Sequence, residues 1–246
     1  MARTDRVDSF HKELPLVERD DRHASVGSGG VGMLTMCWAV KGGSGATVVS
    51  CALALMMARK HEASWLVDLA GDVPATLGIA EPAGPGIHDW IVAPAAPPAA
   101  IEALAIAGAQ GLRVVPRGAA PADLQHARWN PLSQYLAEHD QPWIVDAGTG
   151  PVPEALAAAA QHRLLVTRPC FLALRRATAL DFEPTGVVVV VEPGRALRSD
   201  DIAATMRAPI VAEIEIDPAV ARSVDAGLLA ARLPRTLSSA LRHVLP

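Results

Sequence analysis

Short, predominantly apolar runs recur along the chain, separated by longer alanine- and leucine-rich stretches. The runs fall at residues 34–40, 65–69, 112–115, 143–145, 164–166, 187–191 and 210–214. Runs this short and continuous predict strands buried on both faces. Between them, apolar positions at helical spacing predict helices within 48–59, 99–107, 122–137, 152–162, 171–179 and 217–226. Strands alternating with helices imply a doubly wound, mostly parallel α/β sheet with right-handed crossovers and helices on both faces. In such a sheet the ligand crevice lies at the carboxyl ends of the strands.

Residues 1–25 are polar and mixed in charge, and they run into Ser25-Val26-Gly27-Ser28-Gly29-Gly30-Val31-Gly32. This text predicts a flexible tail and linker over 1–32, with a single domain at 33–246. The Pro/Gly-rich stretches at 81–85 and 92–98 predict irregular excursions inside that domain. The 246 residues suit one large domain or two small ones with a substantial core, and a composition 50% apolar and 20% charged is ordinary for a globular protein. A net charge of −4 gives no general attraction to nucleic acid or anionic membrane. The apolar stretch 47–58 falls short of the roughly 20 residues a bilayer span needs, and the polar start predicts no secretory leader. Cys37, Cys51 and Cys170 stand apart, without metal-ligand spacing, and read as small core residues in a reducing compartment.

The candidate chemistry begins after the first predicted strand, at Lys41-Gly42-Gly43-Ser44-Gly45-Ala46-Thr47. Strand, glycine loop and helix start form an arrangement in which backbone N–H groups converge on a phosphate. The usual pattern ends Gly-Lys-Ser/Thr, with the lysine on the β/γ-phosphates and the hydroxyl on magnesium. Thr47 is present, but Ala46 stands in the lysine's place. The loop alone leaves two readings open: a nucleotide cradle built from Gly42, Gly43, Ser44, Gly45, Ala46, Thr47 and Val48, or a tight turn without ligand. Asp146 ends a predicted strand as a magnesium-type carboxylate or a helix cap, and Asp68 ends another at the crevice. His88 beside Asp89 reads as surface or cap. Arg175 and Arg176 read as a solvated face. Arg222, Arg232, Arg235 and Arg242 are too dispersed for a nucleic-acid patch.

With Lys41 ahead of its glycines, the loop resembles the deviant Walker A motif of the ParA/MinD family. The segments Leu66-Val67-Asp68-Leu69-Ala70-Gly71-Asp72, Gly86-Ile87-His88-Asp89-Trp90-Ile91, Trp143-Ile144-Val145-Asp146, Leu165-Val166-Thr167-Arg168-Pro169 and Ile216-Asp217-Pro218 extend that resemblance over 33–246. Their order is most similar to the CpaE/TadZ branch, which serves Flp-type pilus assembly and includes members with a degenerate loop. The resemblance implies a three-layer P-loop sandwich binding ATP or ADP with Mg2+, weakly or conditionally. It implies a homodimer in which Lys41 reaches the partner's nucleotide, Thr47 and Asp146 hold magnesium, and Asp68 belongs to the hydrolytic strand end. Three departures stand out. Ala46 removes the lysine; Ala70 replaces the second acid of the family's Asp-x-Asp, leaving Asp72 displaced; Glu192 follows the 187–191 run where an adenine-reading asparagine is usual. Slow or absent hydrolysis is therefore expected, unless Asp72, Arg168 or Arg195 substitutes.

The implied function is a nucleotide-dependent or degenerate dimerising scaffold that places pilus machinery. It would be cytoplasmic and reach a cell pole or the inner membrane through protein partners. Two alternatives stay open: an active ATPase positioning cargo, DNA or septum, and an interaction module that uses the fold without nucleotide.

Overall fold

The computed structural model describes residues 32–109 and 111–246; the expected tail and linker, apart from Gly32, lie outside the described residues. Eight strands form one sheet in the order β3-β4-β2-β5-β1-β6-β7-β8. They are β1 (Leu34–Ala39), β2 (Ser64–Asp68), β3 (Ile106–Ala109), β4 (Leu112–Val115), β5 (Trp143–Thr149), β6 (His162–Thr167), β7 (Gly186–Val191) and β8 (Ile210–Glu215). All pairings are parallel except β3 with β4. The expected doubly wound α/β architecture is present.

Each face of the sheet carries its own core. Alternation along β1 divides them: Leu34, Met36 and Trp38 enter one core and Cys37 and Ala39 the other. The first core is rich in tryptophan, with Trp65 and Trp143 stacked at 4.6 Å. The second is formed largely by α1 (Ala46–His61), whose sixteen residues lie against β5, β2 and β1. That helix is apolar around most of its circumference because it is covered nearly all round. Arg59, Lys60 and His61 occupy its last turn, where cations suit the helix dipole.

Shorter helices complete the layers: α2 (Val73–Leu77), α3 (Ile87–Val92), α4 (Trp129–Glu138), α5 (Glu154–Ala159), α6 (Phe171–Ala177), α7 (Ser199–Met206), α8 (Pro218–Asp225) and α9 (Arg235–Leu241). The helix expected at 99–107 is instead a 3-10 turn, Pro98–Leu104, followed by the antiparallel edge strand β3. Gly111, at φ 76°, lets the chain reverse from β3 into β4. Of the helix expected at 122–137, only α4 forms. Ahead of it the Asp123 carboxylate accepts from the Gln125 amide at 3.2 Å, and its carbonyl accepts from the Trp129 indole at 2.8 Å. That local turn competes with helix. The C-terminal segment packs firmly, with Leu237, Leu241, Val244 and Leu245 buried in the α1 core.

Candidate functional site

The topology reverses around β1, which lies between β5 and β6, so the loop after β1 opens at the switch point of the sheet. Gly43 (φ 74°) and Gly45 (φ 95°) carry the left-handed turns that aim this loop, and the Ser44 hydroxyl donates to the Lys41 carbonyl at 2.7 Å. The first bond of α1 runs from the Val49 amide to the Gly45 carbonyl at 3.0 Å. The amides of Ala46, Thr47 and Val48 therefore have no intrahelical acceptor and form the positive end of a sixteen-residue helix.

A cleft of about 600 Å³ opens over these groups. Gly42–Val48 form one wall; Ala70, Asp72, Thr76, Gly148, Thr149 and Asp225 contribute to the other. All seven residues expected to cradle phosphate are thus brought to one cleft, whereas Lys41 is half-buried and does not line it. A second cavity of about 230 Å³ adjoins the loop through Ser44, Gly45 and Val48. Its lining is mostly apolar, including Val190, Ile214 and Val220, together with Arg168.

Asp146 lies on β5, fully buried, with its Cα paired to Cys37 of β1 and Asp68 of β2. Its Oδ1 accepts from the Gly148 amide at 3.3 Å and lies 3.3 Å from the Ser50 hydroxyl, while Oδ2 has no hydrogen-bond partner. Burial pushes this carboxyl up to about 6; Thr47, close by but outside hydrogen-bond geometry to it, pulls the other way, and the Asp68 charge adds to the rise. A buried carboxylate with an orphan oxygen beside a threonine hydroxyl is a donor set that fits a hard divalent cation.

Asp68 is committed differently. Its Oδ1 accepts from the amides of Ala70 (3.0 Å) and Gly71 (2.6 Å), and its Oδ2 from Val73 (3.1 Å). The carboxylate thereby ties the turn that leads into α2. Burial raises its pKa, against the pull of those three amides. Asp72 stands at the start of α2 without a capping bond, exposed at the cleft wall.

Other expectations resolve individually. Arg195 pairs with Glu192 through Nε at 2.5 Å, and Pro193-Gly194 form a turn, so Glu192 begins a turn. His88 is a correction: it is 1% exposed, with Nε2 3.3 Å from the Leu69 carbonyl, because α3 packs its first turn against the end of β2. Arg175 and Arg176 are exposed as expected, yet Arg176 also donates to the Val40 carbonyl at 3.4 Å, tethering the loop. Cys37 and Cys51 are buried; burial pushes the Cys37 thiol up to about 12, which makes it inert.

One site residue, and one departure from the loop pattern, escaped the sequence reading. Ser50 lies one turn into α1, its hydroxyl 2.9 Å from the Ala46 carbonyl and within reach of Asp146; the spacing from Thr47 puts both on one helix face and could have revealed it. Val40 occupies the position of the first glycine when the general G-x-x-x-x-G-K-[ST] pattern is set on Gly45-Ala46-Thr47.

No protein-family description matches this sequence, and neither does any curated protein. Solved structures do. MinD of Aquifex aeolicus superposes with a TM-score of 0.69 at 18% identity, over 85% of this chain and 93% of its own. MinD of Pyrococcus horikoshii, complexed with Mg-ADP, gives 0.66 at 17% over 85% and 93%. A ParA family ATPase of Chlorobium tepidum gives 0.63 at 16% over 86% and 96%. The chain has the fold of the MinD and ParA ATPases. At these identities it is the fold that is shared, with all three proteins matched nearly end to end.

Proposed function

We propose that this protein is a nucleotide-dependent dimerising switch or scaffold whose ATP hydrolysis is slow or absent. One observation carries the reading: three acceptor-free amides at the head of α1 face a cleft beside the buried, half-unpartnered Asp146, while Ala46 removes the usual lysine. The amides and Thr47 would hold phosphate, and Asp146 with Thr47 would hold Mg2+. The magnesium would neutralise phosphate charge. The fold relative from P. horikoshii was solved with Mg-ADP, which supports nucleotide of that kind as the ligand.

Loss of one charge-assisted contact costs about 1.5–3 kcal/mol of binding. Hydrolysis suffers more, because phosphoryl transfer depends on positioning and charge stabilisation. Ala70 lies at the cleft where a water-orienting acid is expected, and Asp68 is engaged by three amides. Lys41, outside its own cleft, is available to a partner copy. The assignment to pilus assembly, with action near a cell pole or the inner membrane, draws on the sequence resemblance to the CpaE/TadZ branch.

Titration calorimetry with ATP and Mg2+ tests the switch. Binding at micromolar to sub-millimolar nucleotide with turnover near zero is expected; silence up to millimolar ATP would defeat it. One observation favours a second reading, an active positioning ATPase: Asp72 faces the loop across the cleft. Measurable turnover abolished by Asp72→Asn would establish that alternative.

A further inference from the structure

The loop lacks the lysine usual at position 46, and Lys41 does not line its cleft, yet an arginine lies beside it. Arg168 directly follows β6, the strand next to β1, and lines the smaller cavity together with Ser44, Gly45 and Val48. Its Nε is buried and has no hydrogen-bond partner, and Arg168 makes no ion pair among the described residues. Acids line the same cavity without neutralising it. Asp217 is occupied, accepting from the Ala219 amide at 2.7 Å and the Thr236 hydroxyl at 2.5 Å. Glu215 and Asp225 stand off it. The arginine's backbone is held by Pro169 and by the Thr167 hydroxyl, which donates to the Arg168 carbonyl at 3.2 Å. A guanidinium stays charged at any physiological pH, and a buried donor without a partner is costly to keep.

Resting on the nucleotide reading, we propose that Arg168 supplies the positive charge that Ala46 omits. It would reach the polyphosphate from the cavity beside β6, where a lysine would come from the first turn of α1. The orphan Nε provides a donor, the acceptor-free amides of Ala46, Thr47 and Val48 fix where an anion sits, and the unpartnered Asp146 Oδ2 marks the cation's side of it. Arg168 is here a binding residue; no bond-making step is assigned to it.

The test uses the full chain. Mg-ADP and Mg-tripolyphosphate are titrated calorimetrically into wild type, Arg168→Gln, Arg168→Lys and the double variant Ala46→Lys/Arg168→Gln. Arg168→Gln, which removes the charge but keeps a polar side chain, should weaken both ligands about tenfold to a hundredfold. Arg168→Lys should recover part of the loss, and the double variant should recover more, because a lysine on α1 restores the charge. Equal affinity of Arg168→Gln and wild type overturns the proposal. So does a loss confined to ADP, which would place the guanidinium on the nucleoside. Wild type that binds neither ligand at millimolar concentration overturns the nucleotide reading itself. Unliganded melting temperatures separate these outcomes from misfolding: were Arg168→Gln unfolded, Arg168→Lys falling as far below wild type as the charge-free Arg168→Ala would overturn the proposal.

Discussion

Replacing Asp146 by asparagine should make the unliganded protein more stable at pH 7.5. Asp146 is fully buried with one orphan oxygen, and burial lifts its pKa from 3.8 to about 6. A folded-state pKa above the unfolded one means that the native state holds the proton more tightly. Stability therefore falls as pH rises from about 4 to about 6, and the full penalty persists above that window. At 1.36 kcal/mol per pH unit the penalty is about 3 kcal/mol. Asparagine removes the charge and keeps an acceptor for the Gly148 amide, but its new N–H lacks a partner, costing about 1 kcal/mol. The net gain of about 2 kcal/mol corresponds to about 4–8 °C in Tm for a domain of this size. Differential scanning fluorimetry at pH 7.5 and pH 4.5 reads it. The gain should shrink towards zero or reverse at the lower pH, where the native aspartate is protonated. The variant should also lose the stabilisation that Mg-nucleotide gives the wild type. A lower Tm at pH 7.5, or an equal effect at both pH values, would refute the electrostatic reasoning.

Gly78→Ala should destabilise by about 3 kcal/mol or more, because Gly78 sits at φ 74° and a Cβ there would come 1.8 Å from the Gly227 carbonyl oxygen; urea titration measures it. His88 is held below its usual pKa by burial, so it costs stability as pH falls below 6.5, and His88→Gln should flatten that acid limb in melting curves. Phe171 is 73% exposed on α6, so Phe171→Ser should change stability by less than about 0.5 kcal/mol. If α6 lies in the dimer contact, the same change should lower the dimer fraction in sedimentation with Mg-ATP. Ala46→Lys should tighten Mg-ATP binding about tenfold, read by calorimetry.

Mostly apolar runs, broken only by Thr35, Asp68, Arg113 and Glu213, marked seven of the eight strands, since strands covered on both faces are predominantly apolar. The glycine loop was equally visible, because a left-handed turn at Gly43 and Gly45 excludes most other residues. Strand β3 was hidden: its residues pattern like the helix before it, and only pairing with β4 makes them a strand. The C-terminal helix α9 was not among the elements the apolar pattern predicted, and its packing on α1 comes from the fold alone. His88 and Asp68 show the same limit. Sequence placed Asp68 at the crevice and read His88 as surface or cap, but only the turn at 70–73 decides that Asp68 commits its oxygens to amides, and only the docking of α3 buries His88. The glycine loop and the alanine at its usual lysine position are properties of consecutive residues, so the chain alone determined them. The approach of Arg168, 122 positions after Ala46, depends on β6 lying beside β1, and strand order is a property that only the assembled sheet possesses.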